Sequence, residues 1–281
     1  MSFIKITCDS ACDLPETLKQ RYGITQLPLE VCLGNDRRLD KVNLAESEVY
    51  RYSEDTGTLP LISPVSSDTY HRYFKAYSER GCQVLHISLS SRLSRCYQHA
   101  AAAAEAFPNV SVVDSESMSA GAGQLALLAA ELAGADYQLG ELEAALNDMK
   151  QHLKVSCLLQ SSAFLHRNGR QGGLCAFADR LLKWKPEISL NGGKICPGAH
   201  YKGDLEQSVL SYVRQHLEGR TNLQTDRILI SASNVPGAVM DKAKDLIWQL
   251  QHFDQILEVP ASSAVSCRCG PGNLGLSYMT I

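Results

Sequence analysis

The chain has 281 residues, of which 44% are hydrophobic and 20% charged, and its formal net charge is -3. That composition fits a soluble globular protein long enough for two domains and excludes a disordered or collagen-like chain. With no run of five Lys or Arg there is no field to gather nucleic acid, and no stretch reaches the roughly 18 apolar residues of a membrane span.

The chain opens on Met1-Ser2-Phe3-Ile4-Lys5-Ile6, which reads as a first strand and not as a secretory leader. Phe3 to Thr7, Gln26 to Cys32, Val84 to Ser88 and Val110 to Val113 are β-rich runs. Between and after them, Ser66 to Arg80, Ser94 to Ala106, Met118 to Leu132 and Gln138 to Leu153 space their apolar residues as helices do. Alternating strand and helix predicts an N-terminal α/β/α domain, a doubly wound parallel sheet, over residues 1–153. The run Ala100 to Ala104 lets another backbone or a slender ligand come close, and alanine is also the best helix former.

After Leu153 the pattern changes. Val155 to Leu159 reads as a strand and Ser161 to Arg167 as a short helix, followed by the Gly-containing stretch 168–173. Lys185 to Leu190 and Lys194 to His200 flank Asn191-Gly192-Gly193, a hairpin signal. Arg227 to Ser233, Gln255 to Val259 and Leu274 to Met279 add strands around two amphipathic helices, which predicts a C-terminal two-layer α/β domain with a mixed sheet over residues 154–281. No Pro-rich or Gly/Ser-rich linker separates the two, so they are expected to pack along a shared cleft. The ten cysteines are scattered, and the close pairs Cys8/Cys12 and Cys267/Cys269 lack zinc spacing. Free thiols, no metal and a cytoplasmic location are therefore expected.

Hydroxyl and carboxyl residues follow the first, third and fourth strands at Asp9-Ser10, Ser88-Leu89-Ser90-Ser91 and Asp114-Ser115, at the edge where open parallel sheets bind ligands. The same residues also serve as plain helix caps. Ser63-Pro64-Val65-Ser66-Ser67-Asp68 and Ser90-Ser91-Arg92-Leu93-Ser94 each lead into a helix and set hydroxyls beside free N–H groups. That arrangement suits a carboxylate reached by Ser63 and Ser94, with positive charge from Arg170 or Arg268 in Gly-rich turns. A solvated surface charge is the commoner fate of an arginine, and the neighbouring glycines are what favour the binding role here. No Gly-x-Ser-x-Gly elbow, Walker loop or Gly-x-Gly-x-x-Gly fingerprint occurs, so no catalytic centre or ATP site is read.

In order along the chain, Asp9-Ser10-Ala11-Cys12-Asp13-Leu14-Pro15, Leu59-Pro60-Leu61-Ile62-Ser63, Leu93-Ser94-Arg95-Cys96-Tyr97-Gln98-His99-Ala100 and Val113-Asp114-Ser115 resemble motifs of the DegV family. Phe164-Leu165 to Asn168-Gly169-Arg170, Lys185-Pro186, Lys202-Gly203 and Gly270-Pro271-Gly272 continue the resemblance over nearly the whole chain. It implies a two-domain fold holding a long-chain fatty acid in a tunnel between the domains, its carboxylate bound by Ser63, Ser94 and Arg170. It further implies that the protein presents this carboxylate to a separate ATP-dependent fatty acid kinase, has no catalytic centre or cofactor of its own and meets membranes only transiently.

The chain departs from the family pattern in four places. Ile62 replaces a Thr, Arg95 and Cys96 replace Gly-Thr, and Arg268 and Lys202 stand at the partner-facing positions where the family has His and Arg. Arg95 and Arg268 are thus added to the expected headgroup site. Two rivals remain on the sequence alone: the substrate subunit of a dihydroxyacetone-kinase-like enzyme, which calls for a His near Gly270-Pro271-Gly272, and a receptor for a different acidic lipid such as an acyl phosphate.

Overall fold

The computed structural model describes residues 3–135, 137–160 and 184–281. Strands β1 (Ile4–Asp9), β2 (Thr25–Leu27), β6 (Gln83–Ser88) and β7 (Val110–Asp114) form a parallel sheet in the order β2-β1-β6-β7. Helices α3 (Ser67–Ser78) and α4 (Cys96–Ala104) pack together on one face, and α5 (Ser119–Gly134) and α6 (Leu139–Met149) on the other. The period-2 alternation of β6 serves both faces: Val84 joins the α3/α4 core, while Leu85 and Ile87 join the α5/α6 core. This is the expected α/β/α arrangement. The alanine-rich α4 packs on α3 with Ala100 and Ala103 buried, so its small side chains serve close helix contact.

The run Gln26 to Cys32, expected to be a single strand, is two. β2 ends at Leu27, Pro28 brings no N–H to a ladder, and β3 (Glu30–Leu33) starts a separate antiparallel sheet with β4 (Asp36–Leu39) and β5 (Leu61–Ser63). Helix α2 (Glu46–Thr56) lies between β4 and β5 and stops at Gly57, whose φ of +67° a side chain would strain; the short α1 (Glu16–Arg21) links β1 to β2.

β8 (Leu153–Leu158), β9 (Trp184–Asn191), β10 (Lys194–Lys202), β11 (Leu223–Ser233), β12 (Gln255–Pro260) and β13 (Asn273–Thr280) build a mixed sheet in the order β10-β9-β8-β13-β11-β12. Among the described residues, β11 and β12 are the one parallel pair of this sheet. The predicted hairpin joins β9 to β10, with φ of +52° at Gly192 and +76° at Gly193, as a two-residue turn of the primed type requires. Helices α7 (Leu205–Leu217) and α8 (Gly237–Leu250) cover one face, and α5 meets the other through β8, β11 and β13.

Packed between two sheets, α5 has to be apolar nearly all round and small-sided, which is what Ser-Ala-Gly-Ala-Gly supplies at its start. A Cβ at Gly123 would fall on the Asp13 carbonyl oxygen, and one at Gly121 on Val155. The short α9 (Ser263–Cys269) precedes β13 and packs on α2 and β5. Two of the three apolar cores draw on both sheets, since Leu159, Ile188 and Val265 sit in the α3/α4 core and Leu229 and Val259 in the α5/α6 core. No helix among the described residues is long and apolar enough to cross a membrane.

Candidate functional site

The carboxyl edge of the parallel sheet is organised by buried Asp9. Its carboxylate accepts hydrogen bonds from Ser88 Oγ (2.9 Å), the Leu89 amide (2.8 Å) and the Tyr70 hydroxyl, and lies 3.3 Å from His86 Nε2, too poorly aligned for a hydrogen bond. Burial alone raises the Asp9 pKa, but the nearby His86 and the hydrogen bonds from Tyr70 and the Leu89 amide outweigh it, so the pKa is lowered. With no exposed atom, Asp9 shapes the loop after β6 instead of touching a ligand.

Ser90 continues that loop. Its Oγ donates to Gly193 O (2.7 Å) in the β9–β10 turn and accepts from the Arg92 amide (3.2 Å), while its carbonyl accepts from the amides of Leu93 and Ser94. The turn that the sequence marked as a hairpin therefore docks on the loop carrying Arg92, Ser94 and Arg95. Ser94 Oγ accepts the Cys96 amide (3.2 Å) at the start of α4, and its hydroxyl hydrogen lies toward Cys96 Sγ (3.1 Å), a weak acceptor that a carboxylate would displace. Burial pushes the Cys96 thiol up to about 12, which keeps it neutral.

A second set of bonds positions Arg268. Asp13, in the Asp9-to-Pro15 motif, accepts from the Ser262 amide (2.9 Å), Ser119 Oγ (2.7 Å) and Lys41 Nζ (3.1 Å). Ser10 Oγ donates to Asp40 (2.6 Å), which also accepts the Ala264 amide (3.3 Å). Burial raises the Asp40 pKa, its bond from Ser10 and the charge of Lys41 opposing. Further along α9, Ser266 Oγ donates to Glu46 (2.8 Å). The motif thus ties the first turn of α9 to the segments that follow β1 and β4, and Arg268 on its last turn lines the same cavity as Ser94.

Between these elements lies a cavity of about 310 Å³. Ser94 lines it together with the guanidinium-bearing Arg92, Arg95 and Arg268, and among the described residues no Asp or Glu does so; the rest of its described wall is apolar apart from Cys269. Met118, Ile195, Val265 and Cys269 belong also to the wall of a smaller inner cavity, about 50 Å³, between α5 and the mixed sheet. Val155, Ser156, Ser189 and Leu190 in turn line both that inner space and a polar cavity of about 480 Å³.

The sequence-predicted residues separate. Ser94, Arg95 and Arg268 share the first cavity, and Arg92 joins them although the residue pattern had not singled it out; its place in the same loop was the available signal. Ser63 lines a different, outer cavity with Ser66 and Arg72, because alternation along β5 turns Ile62 toward Ser94 and Ser63 away. Lys202 sits at the exposed end of edge strand β10 with its ammonium 4.3 Å from the Trp184 ring centre, and does not line the Arg268 cavity. Arg170 and the expected helix Ser161 to Arg167 lie outside the described residues.

One polar cluster mimics a catalytic relay. His216 Nε2 lies 3.0 Å from Glu187 Oε1 and 3.3 Å from Ser156 Oγ. Both contacts use the same nitrogen, so the imidazole has no separate acceptor for a proton from Ser156, and Nδ1 faces Tyr278 Oη at 3.4 Å. Glu187 is held below its ordinary pKa because the bonds from His216 and Tyr201 outweigh its burial.

The family model described as "Uncharacterised protein, DegV family" matches residues 3–280. A DegV domain-containing protein of Deinococcus radiodurans is 27% identical over 98% of this chain and 97% of its own. The crystal structure of a DegV family protein from Thermus thermophilus, described for its fatty acid binding, superposes with a TM-score of 0.87 at 26% identity and covers 99% of both chains. The Streptococcus pneumoniae fatty acid kinase (Fak) B3 protein, solved loaded with linoleic acid, superposes with a TM-score of 0.85 at 20% identity over 100% of both chains.

Proposed function

The chain belongs to the DegV family, and we propose that it binds a long-chain fatty acid, with the carboxylate at Ser94, Arg92, Arg95 and Arg268 and the acyl chain running into the apolar space between α5 and the mixed sheet. The single observation that carries this reading is the described lining of the 310 Å³ cavity: three guanidinium groups and a serine hydroxyl at a helix start, no carboxylate among the described residues, and apolar walls beyond them. The charged end selects an anion, and the walls select a tail whose every buried methylene contributes about 0.8 kcal/mol. The fatty acid binding described for the Thermus thermophilus relative supports the ligand class.

Arg170 belongs to this proposal as a further carboxylate partner on the resemblance of its motif, and Ser63 as the position that separates the resemblance from the cavity geometry. Titration of hexadecanoic acid into wild type and Ser94→Ala tests the reading; equal affinity in the two proteins would remove the carboxylate from this cavity. Presentation of the bound acid to a separate ATP-dependent kinase is proposed as the downstream step. Arg268 and Lys202 are the positions at which it departs from the family pattern, and formation of acyl phosphate on adding a fatty acid kinase subunit and ATP is its test. Arg268 in place of a His near Gly270-Pro271-Gly272 leaves the dihydroxyacetone-kinase-like alternative without its covalent anchor.

A further inference from the structure

Beyond the arginine cavity and the inner apolar space lies a third cavity, adjacent through a common wall. The inner apolar space shares four wall residues, Val155, Ser156, Ser189 and Leu190, with the 480 Å³ cavity at the far end of the seam between the parallel and the mixed sheet. That cavity exists because β8 and β9 part company: they pair only from Ser156–Leu158 to Glu187–Ser189, so Leu153 to Val155 on one strand and Leu190 to Asn191 on the other diverge around a notch. Its walls are polar and carry Lys150, Lys154, Arg220 and His216 against one acid, Glu116. Glu116 is engaged by Lys150 at 2.9 Å, and Lys154 and Arg220 form no ion pair among the described residues. His216 faces Glu187.

A channel built only for a simple acyl chain would close on apolar side chains around the terminal methyl group. Here the far end meets cations, serine hydroxyls and strand groups left without a ladder. A methyl group gains nothing from these surroundings, whereas a second anionic group would find complementary charge.

We propose that the far chamber at Lys154 and Arg220 is a second polar subsite, and that the ligand this protein holds best is a long chain polar at both ends, an α,ω-dicarboxylic acid. The inference rests on the reading that the Arg92/Arg95/Arg268 cavity takes the first carboxylate. It adds the identity of the opposite end.

Binding of hexadecanoic acid and hexadecanedioic acid to the full chain, measured side by side by calorimetry, tests it together with the variant Lys154→Glu/Arg220→Glu, whose two exposed positions leave the cores untouched. The diacid is expected to bind wild type about tenfold tighter than the monoacid, the size of one charge-assisted hydrogen bond. The double variant is expected to abolish that preference while monoacid affinity stays within about threefold. Monoacid binding with a diacid about 100-fold weaker overturns the inference and leaves the first site standing, because it reports a closed apolar end. A preference that survives the double substitution also overturns it. Failure of both acids to bind is a separate result and removes the fatty-acid reading itself.

Discussion

Replacing Ser94 by Ala tests how the headgroup site is built. Ser94 Oγ accepts the Cys96 amide at 3.2 Å, so the variant loses one hydrogen bond at the entry to α4, at a cost of about 1 kcal/mol in stability. In the complex it also loses a hydroxyl donor to a carboxylate, worth about 1.5–3 kcal/mol, or about 10- to 150-fold in affinity. The two effects separate experimentally, because the melting temperature reads the first and fatty-acid titration the second. Ser63→Ala is the control: the side chain lines the outer cavity, beyond Ile62, and its removal is expected to change affinity by less than about threefold. The opposite ranking, with Ser63→Ala weakening binding and Ser94→Ala leaving it unchanged, would refute the assignment of the carboxylate to the Ser94 cavity.

Three further outcomes are expected. Ile195 lies in the wall common to the arginine cavity and the inner space, so Ile195→Trp should flatten the rise of affinity with acyl length, which in wild type should approach about 0.8 kcal/mol per methylene; a chain-length series reads this directly. Gly123→Ala should lower stability by about 3 kcal/mol in denaturant unfolding, since its Cβ meets the Asp13 backbone and α5 has sheets on both sides to prevent its retreat. Asp9 and Glu187 both have lowered pKa values, so the stability each contributes is complete above its ordinary value, 3.8 and 4.5, and is lost as pH falls through the lower folded-state value. Thermal melts of Asp9→Asn should accordingly start from lower stability at neutral pH and fall less steeply on the acid side than wild type.

The elements legible in the sequence are those whose cause is local. Gly192 and Gly193 announce a turn because both need φ above zero, and the long helices announce themselves by period. The small sheet of β3, β4 and β5 was not legible: three or four residues of strand carry too little pattern, and Pro28 interrupts a run that otherwise reads as one strand. Helix α9 was missed for the opposite reason. Ser262 to Cys269 is buried nearly throughout and shows no amphipathic stripe, although this helix delivers Arg268.

At the site, residue types were readable but strand phase was not. Ile62 and Ser63 are neighbours that point to opposite sides of β5, and only the pairing with β3 fixes which side Ser94 occupies. Asp9, Ser10 and Asp13 sit at the edge where ligands are expected, yet their hydrogen bonds run to the Leu89 amide, Asp40 and the Ser262 amide; the most recognisable motif in the chain is a clamp. Arg92 shows the converse. It precedes Ser94 by two positions, and a lone arginine in a loop carries no signature until a cavity collects three of them.

The most direct test of the central claim is mass spectrometry of the purified protein under native and denaturing conditions, before and after incubation with long-chain fatty acids. One acyl chain per polypeptide, released on denaturation and identified as a long-chain mono- or dicarboxylic acid, is the predicted result. A protein that neither carries nor takes up such an acid, or that releases a non-lipid ligand instead, would contradict the account.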